Sequence, residues 1–284
     1  MNGNPDFTWL HTAAGSVCAA AALPEAQLAR LLEQAETLIW QHLDRPVKIS
    51  HETLLVEAEV PWVEGPMRVA YKQFRPRGWW KSLCGRFRVS RARRGWELAQ
   101  ALLARNIPTP RPLLACEPRG PWRRRSSYLA TQWIADAENL HLYGWRLAGY
   151  PLPQRLRWAS RCAVNLGRLL GRMHAAGVSH RDLKGANLLA VQQRDDVAVF
   201  LVDVDGVRIS RRLSARRRAA DLARLAAGLE AHPWVSRSIA CRLLRAYAGE
   251  FPAGTVAWKP LWRDIAQRAG HYAEHKHRRG QQVL

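Results

Sequence analysis

The sequence predicts an α+β fold in two lobes, a small β-rich N-terminal lobe and a larger helical C-terminal lobe. Three observations predict it. A short strand, Arg68 to Phe74, is followed by a helix from about Ser90 to Arg105. A long helix, Arg155 to Ala176, then leads into a polar loop and two apolar strands. Three further helical patterns close the chain. With 284 residues and 48% hydrophobic content there is enough apolar material for a sizeable core, and the length permits one or two domains. The expected divisions are an N-terminal extension (1–45), an N-lobe (46–134) and a C-lobe (135–284).

In the extension, Pro24 to Leu43 reads as one amphipathic helix, with Leu28, Leu31, Ala35, Leu38, Ile39 and His42 at 3–4 spacing. Its expected role is to pack on the N-lobe. Val47 to Val56 reads as a hairpin without a glycine, with the hydroxyls of Ser50 and Thr53 near its turn. Lys72 lies near the middle of the next strand. Ser90 is placed to cap the following helix, and Asn106 and Pro108 close it. Thr131-Gln132-Trp133-Ile134 is the expected hinge between the two lobes.

The helix Arg155 to Ala176 carries Leu156, Ala159, Ala163, Leu166, Leu170 and Met173 on one face, and Gly177 suits a left-handed cap. Leu188 to Val191 and Val197 to Val202 read as two strands around the turn Gln192 to Asp196. Helices are then expected over Arg216 to Glu230, Ser236 to Gly249 and about Leu261 to Lys276, with Asp221 either anchoring the polar loop from below or standing exposed.

That loop, His180-Arg181-Asp182-Leu183-Lys184-Gly185-Ala186-Asn187, with Phe200-Leu201-Val202-Asp203 soon after, is the pattern of protein-kinase-like folds. Phosphoryl transfer asks a protein for positioning and charge neutralisation more than for covalent help. Asp182 would take or orient the proton of the attacking hydroxyl, and Lys184 would meet the γ-phosphate. Asn187 and Asp203 offer hard oxygens to Mg²⁺. Asp205, in the run Asp203-Val204-Asp205-Gly206, is the alternative metal ligand. Lys72 would hold the ATP phosphates, Glu97 would orient it, and backbone groups at Gln132 and Ile134 in the hinge would bond adenine. Between Gly65 and Cys116 there are twelve Lys/Arg residues and Glu97 is the only acid, which favours that role over a helix-face pair with Arg93 or Arg94.

The five cysteines are scattered, form no metal-spaced pair and suggest a reducing compartment. No run is long enough to span a membrane, and Ala13 to Leu23 is a poor signal peptide because no basic region precedes it. The net charge of +21 points to anionic partners. Trp79, Trp80, Phe87 and Trp96 are interleaved with cations between Phe74 and Trp96, which suits an anionic membrane surface; no specific nucleic-acid motif accompanies the charge. After Gly206 there are sixteen Lys/Arg and five Asp/Glu, which argues against a polycationic acceptor. The segment Arg208 to Ala220 is short and lacks Ala-Pro-Glu, which argues against an extended peptide.

Further blocks carry a family resemblance: Tyr71 to Gly78, Ser90 to Trp96, Ile107-Pro108-Thr109-Pro110-Arg111-Pro112-Leu113, Ser127 to Thr131, and Asp221 to Leu225. Over about residues 46 to 230 the chain resembles the lipopolysaccharide kinase (Kdo/WaaP) family. The resemblance implies a protein-kinase-like fold and transfer of ATP phosphate to a sugar hydroxyl of an anionic glycolipid, the heptose or Kdo of the lipopolysaccharide inner core. It implies a cytoplasmic enzyme, peripheral on the inner face of the cytoplasmic membrane. The alternatives are a kinase of another small molecule or of a protein, and a kinase-like regulatory binding module.

Overall fold

The computed structural model describes residue 7 and residues 9–20, 23–76, 89–119 and 126–278. Trp79, Trp80 and Phe87, read above as membrane-facing, lie outside the described residues. The chain divides into two compact units, one of residues 1–101 and 110–134, the other of residues 102–109 and 135–284.

The first unit is strand-rich. Its strands are β1 (Trp9–Thr12), β2 (Gly15–Ala19), β3 (Pro46–Ile49), β4 (Thr53–Trp62), β5 (Gly65–Phe74), β6 (Pro112–Pro118) and β7 (Ser127–Gln132), with helices α1 (Glu25–Glu33), α2 (Ala35–Gln41) and α3 (Arg91–Leu103). All seven strands join one antiparallel sheet, in the order β1-β2-β6-β7-β5-β4-β3. Part of the first 45 residues is therefore strand: Cys18 pairs with Ala115 and Ala19 with Leu114.

The helix expected over Pro24 to Leu43 is two helices, because Gln34 leaves the helical range at φ −86°, ψ 1°. The apolar stripe still holds across the break. Leu28, Leu31, Leu32, Ala35, Leu38 and Ile39 are buried in one cluster with Val56, Val69 and Leu114 of the sheet. Tyr71 donates its hydroxyl to the Ala35 carbonyl at 3.0 Å, which ties the second helix to the central strand. The opposite face of the sheet is covered by α3, whose Ala92 and Trp96 cluster with Phe74, Ala115 and Leu129. Ser90 caps that helix as its residue type predicts, accepting from the Arg93 amide at 3.0 Å.

The second unit is helical: β8 (Glu138–Asn139), α4 (Leu140–Ala148), α5 (Leu152–Ala175), β9 (Val178–His180), β10 (Leu188–Gln192), β11 (Val197–Leu201), β12 (Val207–Ile209), α6 (Ala215–Ala227), α7 (Arg237–Ala248) and α8 (Trp258–Arg278). Helix α5 is its spine, burying Leu166, Leu169, Leu170 and Met173. Two glycines one turn apart let α7 approach it: a Cβ on Gly167 would stand 2.2 Å from the Leu243 carbonyl, and one on Gly171 would stand 2.6 Å from that of Tyr247. Gly177 ends the helix in the left-handed region, φ 74°. It has a second reason to be glycine, since a Cβ there would lie 2.0 Å from the Ser210 carbonyl.

Four cysteines among the described residues, Cys18, Cys116, Cys162 and Cys241, are free. Burial pushes the thiols of Cys18 and Cys162 up to about 12, so both act as small apolar side chains.

Candidate functional site

The polar loop lies in the helical unit, and its backbone is set by two short pairings. Strand β9 brings His180 opposite Val207 of β12. Strand β10 leaves the loop and pairs with β11, Leu188 opposite Leu201. Asp182 and Asp203 are thereby tied to neighbouring stretches of backbone, with the Val202 amide donated to the Asn187 carbonyl at 3.0 Å. The end of β11 is fixed from outside as well. The Leu201 amide bonds the Pro108 carbonyl at 2.8 Å, and the Thr109 hydroxyl donates to the Leu201 carbonyl at 2.7 Å. This gives the Ile-Pro-Thr-Pro block a physical task.

His180 is fully buried and makes three connections. Its Nδ1 accepts the Asp182 amide at 3.3 Å, its Nε2 lies 3.1 Å from the Asp203 carbonyl, and its amide is donated to Asp221 Oδ2 at 2.9 Å. One tautomer, with the proton on Nε2, serves both ring contacts. Gly206 is glycine because the ring lies against it: a Cβ there would be 2.7 Å from His180 Cε1.

Asp221 is the anchor from below, not an exposed helix acid. It is 0% exposed, with Arg224 at 2.8 Å and Arg217 at 3.4 Å on Oδ1, and His174 Nε2 at 3.6 Å from Oδ2. Burial works to raise its pKa. The His174 ring beside it, the bond from the His180 amide and the Arg217 charge outweigh that and hold the carboxyl below its usual range. Burial also lowers the pKa of His174, whose Nδ1 meets the Tyr247 hydroxyl at 2.9 Å. Sequence reasoning had no role for Arg217, Arg224 or Tyr247. The first two carry a signal in hindsight, standing four residues before and three after Asp221 on one helix.

The four loop-side candidates converge in part. Asn187 is 3% exposed and donates its Nδ2 to the Asp182 carbonyl at 2.8 Å and to Asp182 Oδ2 at 3.3 Å. Lys184 Nζ lies 3.5 Å from the same Oδ2, and the Asp182 side chain is 56% exposed, reachable by an incoming hydroxyl. Asp203 sits at φ 57°, a left-handed conformation uncommon outside glycine and typical of functional positions. Asp205 instead offers its carbonyl to Arg181 Nη2 at 3.4 Å.

The other four candidates lie in the strand-rich unit. Lys72 stands on β5 between Leu55 of β4 and Leu129 of β7, with Nζ 4.9 Å from the Phe74 ring two residues along the same face. Glu97 does not take the lysine-orienting place expected for it. Its carboxylate pairs with Arg93 at 3.2 Å, and the side chain is 54% exposed. The reason is helical geometry: Ala92 and Trp96 take the buried face, which leaves Arg93 and Glu97 one turn apart on the wet one. At the end of β7 the Gln132 amide is donated to the Arg111 carbonyl at 2.8 Å. The Ser50 and Thr53 hydroxyls bond each other at 2.8 Å and close the β3–β4 turn.

A strand-rich unit with a lysine on a central strand, preceding a helical unit that carries this loop, defines a protein-kinase-like fold. The chain belongs to the lipopolysaccharide kinase (Kdo/WaaP) family, whose profile matches residues 67–247, and it is a kinase. Among solved structures it is similar to one described as WaaP in complex with acyl carrier protein. The identity is 21% over 88% of this chain and 95% of that one, with a TM-score of 0.58, a likeness of fold. No curated protein sequence matches the chain.

Proposed function

We propose that this lipopolysaccharide kinase transfers phosphate from ATP to a sugar hydroxyl of the inner core, on heptose or Kdo. The observation that carries the reading is the loop itself: Asp182, Lys184 and Asn187 within hydrogen-bond or ion-pair reach of one another, on a backbone held by buried Asp221. Asp182 takes or orients the hydroxyl proton, and Lys184 meets the γ-phosphate. Lys72 holds the remaining phosphates. With the Gln132 amide spent on Arg111, the adenine donor falls to the Ile134 amide.

The residues fit magnesium. Asn187 commits its Nδ2 to Asp182, which leaves its oxygen as an acceptor, and Asp203 adds a carboxylate; hard oxygens of this kind suit the ion. Bound there, Mg²⁺ would neutralise charge on the transferring phosphoryl group.

Two features support a glycolipid acceptor over a peptide. Residues 204–214, between Asp203 and the cap of α6, are taken up by a single helical turn, β12 and a short link to Ser214, which leaves little chain to cradle an extended peptide. The charge of +21 suits a polyanionic acceptor and an anionic membrane. No helix among the described residues is long and apolar enough to cross a membrane; this reading places the chain peripherally on the inner face, held by its charge. The test is incubation with labelled ATP, Mg²⁺ and lipopolysaccharide, followed by mass analysis of the core sugars. Phosphate appearing only on protein or on another small molecule would overturn the acceptor.

A carrier protein is a second proposed partner. The helical unit holds a cavity of about 220 Å³, lined by Leu147, Cys162, Leu166, Leu225, Leu244 and other apolar groups, with room for part of an acyl chain. The solved relative was captured with an acyl carrier protein. Retention of acylated over unacylated carrier by the purified chain checks this reading, and equal retention would remove it.

A further inference from the structure

Gly185 sits inside the catalytic loop, yet its backbone does not demand glycine, since it is not among the described residues with positive φ. What it demands is space. A Cβ there would stand 2.7 Å from His141 Nε2 and 2.8 Å from His141 Cδ2. The edge of an imidazole therefore rests on the loop backbone at a distance only glycine allows.

That imidazole is held from two sides. The His141 amide is donated to Asn139 Oδ1 at 3.1 Å at the start of α4, and Asn139 pairs with Leu189 just beyond the loop. Its Nδ1 meets His232 Nε2 at 3.1 Å, with the rings stacked 5.3 Å apart at 22°. His232 is 5% exposed, and a second glycine admits it: a Cβ on Gly144 would lie 2.8 Å from the His232 ring. Bare backbone thus faces each end of a stacked histidine pair.

The pair is a demanding way to fill this space. One inner nitrogen donates and the other accepts, so an N–H remains on one outer nitrogen in either tautomer. Those outer nitrogens, His141 Nε2 and His232 Nδ1, are buried without a partner among the described residues. An aliphatic side chain would avoid that cost. Burial lowers both histidines below their ordinary value, with the Lys184 charge adding to the effect at His141, so both rings are neutral near pH 7.

We propose that His141, braced by His232, is a positioning residue for phosphoryl transfer. Its ring fixes the height of Gly185 and with it the placement of Lys184 and Asn187. Lys184 is extended, at φ −150° and ψ 166°, and its carbonyl accepts the Asn187 amide at 3.0 Å, so a shift of Gly185 moves both. This role presupposes the phosphotransfer site proposed above and adds a support that touches neither substrate.

The test uses the full chain, three variants and two readouts. His141→Asn keeps a polar atom near the Nδ1 position for His232 but withdraws the ring edge from Gly185. Gly185→Ala pushes the loop off an intact ring, and the double variant relieves that clash. Hydrogen exchange of the 185–187 amides reads the loop without reference to any acceptor, and phosphotransfer to lipopolysaccharide reads the consequence. Each single variant is expected to speed exchange and lower kcat about ten- to a hundredfold. KM for ATP should change less than about twofold, and the thermal midpoint should hold. The double variant should regain part of the Gly185→Ala loss, a non-additive result. Unchanged loop exchange in both single variants, additive losses in the double, or a thermal midpoint that falls together with kcat would each overturn the proposal. A wild-type chain that leaves lipopolysaccharide unphosphorylated would sink the acceptor reading alone, and the exchange data would still decide the support.

Discussion

The two units hold their candidate residues by different means. In the helical unit Asp182, Lys184 and Asn187 ride on a loop pinned through His180 to a buried carboxylate with two arginines on it. In the strand-rich unit Lys72 is placed by strand register, and Glu97 lies on a wet helix face against its own neighbour. A buried polar network fixes geometry because every member has few alternatives; an exposed pair is screened and replaceable. Damage to the buried Asp221 anchor should therefore show in turnover and stability together, whereas damage in the strand-rich unit should be local.

The largest expected effect is at the reacting end. Asp182→Asn should lower kcat by about 10²- to 10⁴-fold while leaving nucleotide affinity close to wild type, measured by turnover and by nucleotide titration. Turnover retained in that variant would remove Asp182 as the base. Asp221→Asn comes next, because it leaves Arg217 and Arg224 beside a neutral amide. A loss of about 3 kcal/mol in chemical denaturation, with kcat falling as well, is the expected result. A stable, inactive variant would mean that the anchor acts on the loop alone.

Lys72→Ala should raise KM for ATP by about tenfold with little change in melting, since the side chain stands on a strand whose ladder it does not build. Unchanged kinetics would make Lys72 a bystander. A pH series separates the units further. Burial holds His141, His174 and His232 below their ordinary 6.5, so below that pH the unfolded chain takes up protons first and folding weakens. Asp221, held below its ordinary 3.8, contributes stability present above that value and lost as pH falls through its folded value. Thermal melts should be level above 6.5, decline below it, and decline again in strong acid. Replacing His174 with Gln should flatten the first decline; a flat wild-type profile from 7 to 5 would contradict it. The smallest effect is Glu97→Gln. Loss of one exposed i,i+4 pair is expected to cost less than about 0.5 kcal/mol, and ATP kinetics should not move. A large rise in KM there would restore Glu97 as the partner of Lys72.

Much of this was legible along the chain. The loop and its flanking helix and hairpin, the Ser90 cap and the left-handed Gly177 depend on neighbours a few residues away, where spacing translates directly into contact. Glu97 shows the limit of that reasoning. Its isolation among twelve cations was real, but charge counting cannot say on which side of a helix an acid ends up once Trp96 has claimed the buried face.

The sequence by itself determined the kinase class and the order of elements around the polar loop, from the long helix before it to the hairpin after it, because each is written in local periodicity and in one contiguous polar motif. Tertiary structure alone decided what supports that motif. His180 meets Asp221 across 41 residues and His141 meets His232 across 91, and strands from the first twenty residues join the central sheet. Such pairings are set by how whole elements pack, and no spacing between neighbours along the chain encodes them.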